Sequence, residues 1–345
     1  MKSDPHTLFD NFDLLIDDGL ILVDPNGEVV RANQSSLSTL GARILNQPLE
    51  YYLRHPDINR AIDNIKKFGE TSPLTYLRYD DVQHEYVVKF APFPDDHCLV
   101  RMNDVTARIS FDKIRSEFVA NVSHELRSPL TTLTGFIETL QTTAADDPKA
   151  SAEFLAIMRE EAGRMQRLID SLLSLSRVES QEHLHPNDDV QMMDVVKEVY
   201  DLMTHRAAQC GMRIELINNL PQELNPIVLG KKDELSEVLH NLLENAIKYG
   251  YQNSTVKFIL ETDEPKKMVQ ISVVNSGEGI DEIHLPRLTE RFYRVDKART
   301  RKLGGTGLGL AIVKHIVNRH RGRLQIASEK GGETVFTVYF PIIGA

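Results

Sequence analysis

The chain is 345 residues long, and at roughly 150 residues per domain that length predicts two to three domains rather than one small module. With 40 Lys and Arg against 50 Asp and Glu, the formal charge of −10 excludes a net-basic surface for nucleic acid or anionic lipid, so any basic patch must be local. Apolar residues at 41% and charged residues at 26% exclude a disordered or fibrous chain. Two distant cysteines, Cys98 and Cys210, supply neither a disulfide framework nor metal-ligand spacing, which points to a reducing compartment. No run approaches eighteen uncharged apolar residues, and the opening lacks the basic and apolar regions of a signal peptide, so no membrane span and a cytoplasmic location are expected.

Residues 1–105 hold 10 basic and 17 acidic side chains, a net of −7 that leaves −3 for the remainder. The apolar run 20–23, the turn signal Asp24-Pro25-Asn26-Gly27 and the run 28–33 read as strand, hairpin turn, strand. Helical patterns at 35–40 and 58–68 follow, then β-rich segments at 74–79, 85–90 and 99–105. The order β-β-α-α-β-β-β, with Asp24, Gly27 and Asn33 in a D-x-x-G-x-x-x-x-x-N phrase, resembles a PAS domain. That resemblance implies a PAS-like α/β sensor over 8–105, with an unrelated α+β domain as the alternative. His55, His84 and His97 sit in no haem-specific phrase, and Cys98 lacks flavin-photoreceptor surroundings, so an unliganded or protein-contact input is favoured.

From Thr106 the period changes. Ile114, Phe118, Val122, Leu126, Leu130, Leu133, Ile137 and Leu140 recur at steps of three and four, one apolar stripe on a long helix. A polar stretch at 142–152 interrupts it, and a second helix is expected from about residue 153, with Phe154, Met158, Met165, Ile169, Leu172 and Leu175 on one side. A lone helical hairpin cannot bury both stripes, whereas two hairpins can do so as a four-helix bundle; a homodimer built on 106–180 is therefore expected. The polar, proline-containing segment 180–189 reads as a hinge, and its His183 and His185 as solvated rather than metal-bound. Residues 190–343 alternate helical and strand patterns and read as an independent α/β domain.

His124 lies two residues from Val122 and two from Leu126, about 200° around the helix from each, so it faces away from the bundle core. Glu125 and Ser128 crowd the same outward region, and Pro129 removes the hydrogen bond that would reach the Glu125 carbonyl. The run FVANVSHELRSPL at 118–130 resembles the phosphoacceptor motif of bacterial two-component sensor histidine kinases. The resemblance implies that His124 takes the γ-phosphoryl group of ATP and that Glu125 accepts the proton of the other ring nitrogen. Ser128 stands where relatives that dephosphorylate their partner place a Thr or Asn, which keeps a phosphatase activity open.

Downstream, the helical segment 240–249 carries Asn241 and Asn245 one turn apart, then Lys248 and Tyr249, and resembles the asparagine box of these kinases. The carboxamide oxygens suit Mg²⁺, Lys248 a phosphate, and Tyr249 the nucleoside side. A strand at 269–274 leads into Asn275-Ser276-Gly277-Glu278-Gly279, like the first glycine box, where Gly277 and Gly279 let backbone approach a flat ligand. The family has Asp at 275; Asn can still accept from an adenine amino group, and it can donate to a guanine carbonyl as well. Residues 291–302 hold six basic side chains and one acidic, a net of +5, and read as a lid over triphosphate, with Arg294 neutralising the transferring group. Gly305, Thr306, Gly307, Leu308 and Gly309 form a glycine loop opening a helix whose free N–H groups suit phosphate. The array resembles the Bergerat ATP fold, shared with type II topoisomerases, mismatch-repair proteins and Hsp90 chaperones.

Together these resemblances imply a multidomain α+β protein: PAS-like sensor, dimeric four-helix bundle and Bergerat-type α/β sandwich ATPase. They imply a kinase that autophosphorylates His124 from Mg-ATP and passes the group to an aspartate of a response-regulator receiver domain. The segment 285–295 and the following glycine loop most resemble the phosphate-regulon sensor group, whose members usually carry an N-terminal membrane segment, so the chain is expected to be cytoplasmic or the cytoplasmic portion of a membrane-associated kinase. A degenerate kinase acting mainly as a phosphatase, and a non-kinase Bergerat ATPase or scaffold, are the alternatives.

Overall fold

The computed structural model describes residues 5–69, 73–79, 83–142, 147–221, 224–263, 267–296 and 305–343. The chain divides into two compact units, residues 1–119 and 120–345. The boundary falls inside one long helix.

The first unit is an antiparallel sheet of β1 (Gly19–Val23), β2 (Val29–Ala32), β3 (Leu74–Tyr79), β4 (Gln83–Pro92) and β5 (Cys98–Asp104) in the order β2-β1-β5-β4-β3. β1 is apolar throughout rather than alternating because both of its faces are covered. Leu20 and Leu22 pack with Phe9 of α1 (Pro5–Asp13) and with Phe93, while Ile21 and Val23 join the core under α2 (Gln34–Leu40) and α3 (Ile58–Phe68). Helix α1 has no counterpart among the expected elements. The Asp24 carboxylate accepts from Asn26 N and Glu28 N, both at 2.8 Å, closing the β1–β2 turn. Asn33 caps α2 by accepting from Ser36 N (3.0 Å) and also accepts from Leu20 N (2.9 Å), tying helix to strand. The motif residues thus earn their places through backbone geometry. Cys98 is buried, and burial pushes its thiol up to about 11, so it stays protonated.

The sheet hands the chain to α4 (Thr106–Gln141) within three residues, with Asp104 accepting from Thr106 N at 2.9 Å. α4 continues through Pro129. Its partner α5 (Pro148–Ser180) begins five residues earlier than its apolar period suggests. Asp147 accepts from Lys149 N and Ala150 N, both at 3.0 Å, and Pro148 occupies the first turn, so residues inside the expected polar interruption at 142–152 start the helix instead. Residues 143–146 of the expected loop lie outside the described residues. Phe136 and Phe154 stack across the hairpin with centroids 5.1 Å apart.

In the rest of the second unit, β7 (Arg213–Asn218), β9 (Thr255–Asp263), β10 (Met268–Ser276), β11 (Arg323–Ser328) and β12 (Glu333–Pro341) form a sheet ordered β11-β12-β10-β9-β7, with β6 (Asp189–Gln191) and β8 (Ile227–Leu229) paired separately. Among the described residues of this sheet, only the β7–β9 pair is parallel. Helices α6 (Met192–Gln209), α7 (Lys232–Tyr249) and α8 (Gly309–Arg319) cover the sheet through buried Val195, Val199, Leu239, Leu242, Ile312 and Ile316. This is a two-layer α/β sandwich.

The expected hinge is strapped along α8 instead. Arg319 Nε donates to the Leu184 carbonyl (2.9 Å), His185 Nδ1 lies 3.0 Å from the Arg319 carbonyl, and Glu182 sits 2.7 Å from His315 Nδ1. Its polar side chains serve as fasteners, which composition alone reads as solvation. No helix among the described residues is long and apolar enough to cross a membrane.

Candidate functional site

A cleft of about 250 Å³ opens between α7, the end of β10, the segment 282–296 and the start of α8. Of the residues expected there, Asn241, Asn245, Lys248, Tyr249, Asn275, Gly277, Gly279, Arg294, Gly305, Thr306, Gly307 and Gly309 all line it. The exception is Leu308. Its side chain is buried in the core, and its backbone N–H donates to Thr306 Oγ1 at 3.3 Å to shape the loop. Residues 297–302 of the expected lid lie outside the described residues.

α7 sets the first wall. Leu235, Leu239, Leu242, Leu243 and Ala246 are buried, so the 3.6-residue period turns Asn241, Asn245 and Lys248 toward the cleft. Asn241 Nδ2 donates to the Glu237 carbonyl at 2.9 Å, which leaves its Oδ1 facing the beginning of α8. A Cβ at Gly309 would stand 2.8 Å from that oxygen, so the glycine admits the helix start against the amide. Burial pushes the Lys248 ammonium below its ordinary value; Glu244, 4.0 Å away, opposes this, and Arg167, Arg206 and Arg294 reinforce it.

Asn275 is buried on β10 directly opposite Thr334 of β12. The Thr334 hydroxyl lies 2.7 Å from Ser328 Oγ, which in turn accepts from Ile280 N at 2.9 Å. This hydroxyl chain braces the glycine loop. Gly279 has φ +68°, and a Cβ there would fall on the Glu329 carbonyl oxygen. The close approach its sequence predicts is therefore made to the protein's own backbone, with Gly331 N donating to the Glu278 carbonyl at 2.6 Å.

Helix α4 is joined to the wall of this cleft through Arg294. Arg294, whose side chain is 4% exposed, lines the cleft and reaches Glu125 on α4, with Nη1 and Nη2 3.4 and 3.1 Å from the two carboxylate oxygens. The same Nη2 donates to the Thr306 carbonyl at 2.9 Å. His124, one residue before Glu125, is exposed, as is Ser128. Further contacts hold the sandwich on the hairpin: Ser174 Oγ donates to Glu237 at 2.6 Å, and Arg291 pairs with Glu179 at 2.7 Å.

Sequence reasoning passed over Glu244, Ile280, Tyr293, Thr334 and Phe336 as cleft residues. Glu244 was findable, being on α7 between the two asparagines. Thr334 and Phe336 become neighbours of Asn275 and Val273 only through the β10–β12 register. The acceptor role of Glu125 toward Arg164 of α5, 3.3 Å away, was likewise unmarked.

Residues 114–181 match the family described as the His Kinase A phospho-acceptor domain, and residues 230–343 match the histidine kinase-, DNA gyrase B- and HSP90-like ATPase family. The sensor histidine kinase WalK of Bacillus subtilis is 33% identical over 94% of this chain and 53% of its own length, so the chain spans about half of that relative. The phosphate regulon sensor protein PhoR of Pseudomonas aeruginosa is 34% identical over 94% of this chain and 72% of its own length. The crystal structure of the histidine kinase ThkA, solved with the response regulator protein TrrA, shares the fold at a TM-score of 0.53 and 22% identity, covering 95% of this chain and 96% of ThkA. Matches to both families in this order along the chain, and a relative 34% identical that is aligned over nearly three quarters of its length, lead to one conclusion: the chain belongs to the sensor histidine kinases.

Proposed function

We propose that this chain binds ATP in the α7–β10–α8 cleft, phosphorylates its own His124, and passes the phosphoryl group to an aspartate on the receiver domain of a response regulator. The observation that carries this reading is the Glu125–Arg294 pair, which joins the residue beside His124 to the wall of the nucleotide cleft. In the reaction, a lone pair of the His124 imidazole forms an N–P bond to the γ-phosphorus as the bond to the β-phosphate oxygen breaks. ADP leaves with that electron pair, and the proton on the other ring nitrogen passes to Glu125. Arg294, released from Glu125, neutralises charge on the transferring group.

Lys248 would supply positive charge near the phosphates, and buried Asn275, which lines the cleft, would meet the base edge with its carboxamide. The oxygens of Asn241 and Asn245 fit Mg²⁺, a hard cation satisfied by few protein oxygens and several waters. When bound, Mg²⁺ offsets phosphate charge. Ser128, exposed and three residues beyond Glu125, supports a second activity that dephosphorylates the receiver.

The partner class follows the ThkA–TrrA precedent. We further read residues 8–105 as a PAS sensor, 106–180 as the dimerising hairpin and 190–343 as the ATPase, in a cytoplasmic protein or protein portion. The PhoR match supports a phosphate-regulon subgroup. Incubation with γ-labelled ATP and Mg²⁺ is expected to leave acid-labile, base-stable phosphate on His124, and His124→Gln is expected to abolish it. Nucleotide binding without label on His124 would overturn the reading.

A further inference from the structure

Glu125 is gripped from two sides. Arg294 belongs to the nucleotide cleft, but Arg164 belongs to α5 of the same hairpin as Glu125, with Nη2 3.3 Å from Oε2. Arg164 Nη1 also lies 3.9 Å from Glu161 Oε2, a buried oxygen without a hydrogen-bond partner among the described residues. The small cleft around the Glu125 carboxylate is lined by Pro129, Arg164, Met165, Leu168 and Thr306. Two cations and two carboxylates therefore balance in a part-buried site. Moving Arg294 onto triphosphate leaves Glu125 and Glu161 with Arg164 alone between them. A carboxylate left there without a hydrogen-bonding cation would lose its fixed geometry, which a proton acceptor needs.

We propose that Arg164 is a positioning residue for histidine phosphorylation: it holds Glu125 in place while Arg294 departs to the transferring phosphoryl group. This rests on Glu125 accepting the proton from His124, as above. Arg164 contributes the fixed fork and Arg294 the exchangeable one, so a single carboxylate can release the nucleotide-side arginine without becoming an isolated buried anion.

The test is a double-mutant cycle on the full chain, reading single-turnover labelling of His124 and, separately, affinity for a fluorescent ATP analogue. Arg164→Gln is expected to slow labelling about 10- to 100-fold, the range for residues that orient a reacting group through another, while nucleotide affinity changes less than about twofold. Arg164→Lys should recover part of the rate. In a Glu125→Gln background, Arg164→Gln should change the rate less than about twofold, because the group it serves is gone. Where Glu125→Gln labels below detection, the imidazole tautomer ratio of ¹⁵N-labelled His124 takes its place: Arg164→Gln should shift it and Arg164→Lys should leave it.

Equal losses from Arg164→Gln in both backgrounds, an unchanged rate, an unshifted tautomer ratio, or a parallel fall in nucleotide affinity would each reduce Arg164 to a structural brace and overturn the proposal. Absence of label on His124 in the unsubstituted chain would instead overturn the kinase reading on which it rests.

Discussion

Lys248 carries a charge that its own fold disfavours. Burial, reinforced by Arg167, Arg206 and Arg294, depresses its ionisation below the ordinary value, so between the folded and unfolded values the unfolded chain binds the extra proton. Stability from this group therefore rises as pH climbs through that alkaline interval. At neutral pH the buried ammonium is a penalty that an anionic ligand relieves. Lys248→Met should raise the melting temperature of the nucleotide-free chain by about 1–3 °C, as expected for removing a partly uncompensated charge, and weaken ATP binding about tenfold. Calorimetric melting and titration with ATP read the two effects independently, and a variant losing both stability and affinity would contradict the assignment. The asparagines and Lys248 were legible as cleft residues because their helical spacing is local. The competition of Arg164 and Arg294 for Glu125 was not, because those partners stand 39 and 169 positions away.

The C-terminal end of α8 shows how an element is anchored by a buried polar cluster. Arg319 pairs with Glu234 of α7 and holds the Leu184 carbonyl, while His320 Nε2 accepts from Lys231 N at 3.1 Å and its Nδ1 donates to the Ile316 carbonyl at 2.8 Å. That pattern needs a neutral imidazole. Burial, reinforced by Arg319 and Lys231 and opposed by the Ile316 carbonyl and Glu234, lowers His320 below its ordinary 6.5. The stability it lends is therefore complete above pH 6.5 and is lost as pH falls through the lower folded-state value. His320→Leu should cost about 1 kcal/mol at pH 7.5 through the lost acceptor, and should lose less further stability than the parent on going to pH 5.5. Urea midpoints at the two pH values measure this; parallel losses in both proteins would exclude His320 as the titrating group. Sequence period located α4, residues 240–249 of α7, the strands of the first unit and β10, but it misplaced the start of α5 and read residues 180–189 as a hinge. Both errors have one cause. A polar residue looks the same in sequence whether it meets water, a helix N-terminus or a buried arginine.

At the scale of the whole molecule, the hairpin leaves its expected stripe uncovered within a single chain: Leu130 is 55% and Ile137 44% exposed, although both occupy the apolar period of α4. Burying such positions in a second hairpin is worth about 1.5–3 kcal/mol per large side chain. The parent chain should sediment as a dimer, and Leu130→Glu with Ile137→Glu as a monomer that still binds nucleotide, since neither residue lines the cleft. An unchanged dimer mass would remove this face from the interface. Composition, hydrophobic period and short motifs were enough for the mixed helix and sheet fold class, the exposed placing of His124 on its helix and the cleft glycines, because each is written in neighbouring residues whose spacing is set by helix or strand geometry. Folding alone decided that the glycine loop closes on Glu329, that Thr334 faces Asn275, and that two arginines converge on Glu125. Those pairings join distant positions through sheet register and the docking of the sandwich on the hairpin, and no local pattern encodes which distant partner a polar side chain will meet.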